Sequence, residues 1–214
     1  MDVPALKTFE FSDWEAVGSA FQNAPSLDMS QAWLEKPDET FRPATVRVGW
    51  REDVFFVWAR LVDDQKFTQA TQDNQHLWKL GDVFEMFLRD VTREDYLELH
   101  VAPSGHRLQL RFLSAETIYH LRDRQLRLTD LMVSESLFDL SVRETAEGWD
   151  VLAGIPLKSF GSSGETFIKK SLLASFSRYD YDDDKTPPVL SSTSAHTELN
   201  YHRQQEWRML NFVE

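Results

Sequence analysis

The sequence predicts an all-β fold, an antiparallel β-sandwich of about ten strands with one short N-terminal helix. Three observations carry this prediction. From Thr45 onward, apolar and polar residues alternate with period two in one segment after another. Turn signals separate those segments at intervals of roughly 8–12 residues. Only one stretch has a helix-start pattern. No repeat, low-complexity run or linker interrupts the chain, so residues 1–214 read as one domain, with 1–44 a helix and irregular segment packed on it.

The elements follow in order. "FSDWEAVGSAF" carries Ser12 with Glu15 three residues on, the capping-box spacing that starts a helix. Met29 to Pro43 is polar and irregular. "TVRVGW" (Thr45 to Trp50) and "VFFVWARLVDD" (Val54 to Asp64) are strands joined by the hairpin-sized turn "RED". After the polar "TQATQDNQ", two more strands run over Asp82–Arg89 and Tyr96–Ala102, and "PSGH" turns the chain into Arg107–Leu113. "QLRLTDLMV", "FDLSVRET" and "GWDVLAGIP" continue the series, and "SLLASFSRYDY" and "EWRMLNFV" end it. One long loop, Asp180 to Gln205, is of a length that marks functional or mobile segments.

Composition bounds the function. Lys+Arg 23 against Asp+Glu 35 gives a net charge of −12, with no dense basic cluster, which excludes nucleic acid and anionic membrane as partners. Seven tryptophans supply flat apolar surface for a core or a ligand face. The absence of cysteine removes disulfides, thiolate metal sites and cysteine nucleophiles. The N-terminus shows no signal-peptide pattern, and no apolar run approaches the roughly 18 residues of a membrane span.

Nothing in the sequence matches the nucleophile elbow, the zinc-protease helix or the phosphate-binding glycine loops, so the chain reads as a non-enzyme. A glycoside hydrolase could use two carboxylates with no local motif, and Glu85 and Glu98 could form such a pair, but among 35 acidic residues that coincidence carries little weight. In "YLELHVA", alternation puts Tyr96, Glu98 and His100 on one face and Leu97, Leu99 and Val101 on the other. The polar face is either a solvent face or a set of hydrogen-bonding groups for a polyhydroxylated ligand. In the preceding strand Phe84, Met86 and Leu88 face the core, and Val83, Glu85, Phe87 and Arg89 share the opposite side. Trp78 falls on the loop leading in, and Asp82 ties down the turn. "DYDDDK" (Asp180 to Lys185) reads as a solvated acidic loop, with calcium as the alternative because it offers several carboxylate oxygens.

These pieces, in this order, resemble the family 9 carbohydrate-binding modules and their sandwich relatives. The resemblance rests on "WKLGDVFEMF" and "YLELHVAPSG", on "VRVGWREDVFFVWARLVDD" upstream, and on "GWDVLAGIPL", "LLASFSRYD" and "WRMLNF" downstream. It covers Thr45 to the C-terminus. It implies a module that grips a sugar end of an oligo- or polysaccharide between two aromatic rings, here Trp78 and Tyr201, with Glu85 and His100 on the hydroxyls. Glu98 and Arg178 are additional candidates for that site. It further implies an extracytoplasmic (periplasmic or secreted) setting, a place in a larger glycan-degrading protein or system, and a structural calcium ion whose ligands do not map onto residues of this chain. The sequence departs from the family pattern. One extra residue separates Trp78 from Glu85, Tyr201 replaces a tryptophan, and His100 stands where an arginine can sit. Two alternatives therefore stay open: a structural or interaction sandwich that has lost the sugar, and a haem-binding sandwich using Met86 and His100.

Overall fold

The computed structural model describes residues 1–161 and 166–214. Twelve strands are found among them: β1 (Asp2–Val3), β2 (Ser26–Asp28), β3 (Ala44–Arg51), β4 (Val54–Val62), β5 (Val83–Asp90), β6 (Tyr96–Val101), β7 (Arg107–Phe112), β8 (Asp139–Thr145), β9 (Gly148–Pro156), β10 (Ser171–Asp180), β11 (Val189–Ser192) and β12 (Arg208–Phe212). Two short helices, α1 (Trp14–Ala20) and α2 (Thr117–Arg122), lie outside the sheets. The order β2-β3-β4-β9-β8 makes a five-stranded sheet, and β1-β12-β10-β5-β6-β7 with β11 on β10 makes a seven-stranded one. Every named pairing is antiparallel except β1 with β12.

The two sheets pack face to face, as the alternation requires. Phe84, Met86 and Leu88 of β5 and Leu97, Leu99 and Val101 of β6 point into this interior, against Phe55, Val57, Trp149 and Val151 of the other sheet. The rings of Phe84 and Phe176 stack with centroids 6.1 Å apart. Burying such side chains stabilises by about 1.5–3 kcal/mol each.

Both outer faces are also covered. On the five-stranded sheet, Phe56, Trp58 and Leu152 are roofed by α1 and its flanks through Phe9, Val17 and Phe21. On the seven-stranded sheet, Val83, Phe87, Tyr96, Leu110 and Phe112 form a second apolar layer with Leu77, Ile118, Leu131, Tyr201 and Trp207 from three loops. The polar face of β6 is therefore a buried face, and the solvent-face alternative is overturned.

Other expectations change in detail. The cap of α1 is Asp13, whose Oδ1 accepts the Ala16 N–H at 3.0 Å, one residue on from Ser12. "QLRLTDLMV" is not a strand: it follows α2 with a turn at Leu128–Asp130, closed by Arg127 and Asp130 bonding each other, and pairs with the sheet only in one isolated bridge, Met132 beside Leu110, made by the Leu131 carbonyl and the Val133 N–H. Its alternating leucines serve the roof instead. β1, β2 and β11, of two to four residues, are too short to show a period.

Gly148 opens β9 at φ +151°, and a Cβ there would sit 1.9 Å from the carbonyl oxygen of Leu61. Gly148→Ala is expected to lose at least ~2 kcal/mol of stability, measured by urea unfolding. An unchanged midpoint would contradict this packing.

Candidate functional site

The register of β5 and β6 builds the site. Glu85 pairs with His100 and Phe87 with Glu98, so all four side chains share the outer face of the seven-stranded sheet. On the neighbouring strand, Ser177 pairs with Glu85, which turns Tyr179 to that face as well. Between this face and its roof lies a cavity of about 350 Å³. Its floor and sides include Trp78, Glu85, Glu98 and Tyr179, and its roof includes Arg122 and His202.

Trp78 stands on a single helical turn, Leu77–Lys79, anchored by buried Leu77. The Tyr181 hydroxyl donates to the Trp78 carbonyl at 2.7 Å. One indole face carries the His76 ring, stacked at 5.1 Å, and His100 meets the indole edge-on at 5.4 Å. The ring is half-buried and borders the cavity.

Glu85, Glu98 and His100 are 3%, 7% and 0% exposed, so their charges interact in a nearly dry environment. His100 Nε2 is 2.7 Å from Glu98 Oε1, and His100 Nδ1 is 3.4 Å from Glu85 Oε1, too long for a good hydrogen bond. Glu98 Oε2 stands 3.7 Å from His202 Nε2, and His202 Nδ1 pairs with the Tyr96 hydroxyl at 2.8 Å. Glu98 Oε2 and His100 Nδ1 have no hydrogen-bond partner among the described residues. Burial pushes the Glu85 carboxyl up to about 7. Against the same burial, His202 and His100 hold Glu98 below the ordinary carboxylate range, while Glu85 and Glu98 raise His100.

The roof is tied down by its own bonds. Trp207 Nε1 donates to the Tyr201 carbonyl at 2.8 Å. The Glu206 carboxylate, partnered by His196, Thr197 and Arg203, is held down to about 2 against the upward push of burial. Arg122 reaches across from α2 to donate to Asn200 Oδ1 at 3.1 Å.

The structure thus gathers Trp78, Glu85, Glu98 and Tyr201 around one cavity, with His100 directly behind the two carboxylates. Tyr201 is only 6% exposed and packs against Trp33, Phe87 and Tyr179, so it forms a fixed wall, not a free stacking platform. Tyr179, half-buried on β10, is a further ring in the lining. Alternation along β10 from Ser177 was the signal for it. Arg122, Asn200 and His202 had no such signal, because α2 and the roof loop have no sheet register.

Arg178 does not belong to the site. It pairs with Phe84 and shares the inward side of β10 with Phe176, one position out of phase with Tyr179. There it donates to the Val62 carbonyl at 2.7 Å and to Asp180 at 2.9 Å, with Asp63 at 3.2 Å. Asp82 completes this buried group by accepting the Phe67 and Tyr181 N–H groups, each at 2.6 Å, which is the turn-tying role expected of it. Within "DYDDDK", Asp180 and Asp182 turn to Arg42, and Asp183 accepts the N–H groups of Lys185 and Thr186. Met86 points into the inter-sheet interior and His100 to the opposite face, so they cannot ligate one haem iron.

No protein-family model matches the sequence, and no curated protein matches it. Solved structures do match the fold. A candidate carbohydrate-binding protein from Bacteroides uniformis ATCC 8492 superposes with a TM-score of 0.76 at 14% identity, over 100% of this chain and 98% of that one. A family 9 carbohydrate-binding module from Caldicellulosiruptor kristjanssonii in complex with cellotriose gives 0.65 at 13% identity, over 99% and 92%. A module of the same family and organism in complex with glucose gives 0.64 at 11%, over 100% and 95%. The chain has a fold like that of the family 9 carbohydrate-binding modules, a β-sandwich.

Burial, with Asp63 adding, pushes the Asp82 carboxyl up to about 8 despite its two backbone donors. That value lies above the ordinary 3.8, so the folded protein holds a proton that the unfolded chain has released, and this contribution to stability falls as pH rises from about 4 to 8. Asp82→Asn keeps one oxygen for two N–H groups and is expected to lose about 1–3 kcal/mol. Denaturant melts should show the gap between wild type and variant wider at pH 5 than at pH 8. A gap independent of pH would refute the assignment.

Proposed function

We propose that this protein is a non-catalytic carbohydrate-binding module that holds a sugar end in the cavity between β5, β6, β10 and the roof. The observation that carries the reading is one cavity joining a half-buried indole to buried carboxylates. A pyranose has an apolar C–H face that stacks on an aromatic ring and a rim of hydroxyls that need hydrogen-bond partners. Trp78 supplies the first, and Glu85 and Glu98 supply acceptors whose charge strengthens such bonds about twofold. The volume of about 350 Å³ lies in the range of small-molecule sites, about 300–1,000 Å³.

Fold alone does not assign a ligand, since one sandwich hosts many functions. Neighbours of the same fold, however, were solved with cellotriose and with glucose, which supports a sugar as the partner. The second grip on the sugar differs from the one implied by the resemblance. Tyr179 and the roof residues take the place of an exposed ring at Tyr201. The non-catalytic reading is supported by the structural neighbours, whose names give carbohydrate binding and no reaction.

Titration calorimetry against glucose, cellobiose and xylobiose is the direct test. Binding in the range of about 10–100 µM is expected. Trp78→Ala should weaken it at least ~tenfold, about 1.4 kcal/mol, without shifting the unfolding midpoint by more than a few degrees. Saturable binding that survives Trp78→Ala unchanged would remove the cavity as the site.

A further inference from the structure

The floor of the cavity sets two carboxyl groups against one imidazole. Glu98 is matched by the His100 imidazole at 2.7 Å, whereas Glu85 has that same imidazole only at 3.4 Å. No lysine or arginine is ion-paired to either glutamate among the described residues, and the guanidinium at the rim, Arg122, is exposed and turned to Asn200. Glu98 Oε2, more than nine-tenths buried, has no hydrogen-bond partner, and its residue lines the cavity. A buried carboxylate without a full partner carries a desolvation cost that a cation entering the cavity would offset.

Two kinds of cation could do so: a metal ion, for which Glu85, Glu98 and His100 offer ligand atoms within 4.8 Å of one another, and an ammonium group carried by an organic ligand. The surroundings favour the ammonium. The cavity is far larger than an ion, and its lining includes the rings of Trp78 and Tyr179, whose faces attract organic cations. An ammonium also has three donors to share between Glu85 and the free oxygen of Glu98.

We propose that the cavity selects an amino sugar, binding its ammonium group between Glu85 and Glu98 while the ring lies against Trp78. This rests on the carbohydrate reading above and names the class of sugar. A neutral hexose gains the same stacking and loses the charge complement. An N-acetylated sugar loses the charge and brings a carbonyl oxygen toward the carboxylates.

Calorimetry with glucosamine, glucose, N-acetylglucosamine and zinc chloride, each titrated into the full chain at pH 6.5, separates the outcomes. Glucosamine should bind at least ~tenfold more tightly than glucose and N-acetylglucosamine. Glu85→Gln, which keeps shape and removes charge, should bring the glucosamine and glucose constants together, with the fold monitored by circular dichroism. Glucose binding as tightly as glucosamine would overturn the amine preference and leave the carbohydrate reading standing. Zinc binding that excludes glucosamine would overturn it in favour of a metal. Binding by none of the four would overturn both readings of the cavity.

Discussion

The hairpin of β5 and β6 has to serve two apolar layers at once, and most of the molecule follows from that constraint. Its inward residues fill the space between the sheets. Its outward residues Val83, Phe87 and Tyr96 would leave an exposed apolar face if nothing covered them. The loops that cover it also remove water from Glu85, Glu98 and His100, which lie on the same face. A strand of plain amphipathic type would have left those groups in solvent, where their mutual effect is small. The chemistry of the cavity is therefore a by-product of how the apolar surface is hidden.

The same sheet carries two buried acidic groups of different character. Around Arg178, each carboxylate has a donor: Asp180 and Asp63 face the guanidinium, and Asp82 holds two backbone N–H groups. That group joins the ends of β4, β5 and β10 and is built as a structural tie. At the Glu85 and Glu98 group, by contrast, no lysine or arginine is ion-paired to the glutamates among the described residues, and a cavity adjoins them. An adjoining cavity in one and a guanidinium set among the carboxylates in the other separate a site from a scaffold better than burial or acidity does.

Period-two alternation made much of this legible in the sequence. The inward and outward sides of β5 and β6 followed from Phe84, Met86 and Leu88 against Glu85 and Phe87, because a two-residue period has only two phases. Arg178 shows how a resemblance can override the period: alternation from Leu172, Ala174 and Phe176 puts it on the inward side of β10, away from Glu85. Tyr201 was implied at the cavity by the family resemblance, but its exposure was not, since that depends on Trp33 from the distant N-terminal segment. The roof was least legible. Leu126 and Leu128 alternate like a strand, but the segment meets the edge strand β7 only around Met132, and its leucines pack as a lid over the outer face of the sheet.

That lid is assembled from a six-residue helix and short single turns, while the floor is made of long paired strands. Segments with so few backbone bonds of their own open far more often than the strands beneath them. In hydrogen exchange, the amides of 117–131 and 196–207 then belong to a separate, weaker cooperative unit than those of β5 and β6. Any molecule held between the two contributes its free energy to that weaker unit first. Occupancy of the cavity thereby becomes readable as slowed exchange in the roof, with the sandwich itself serving as the unchanging reference.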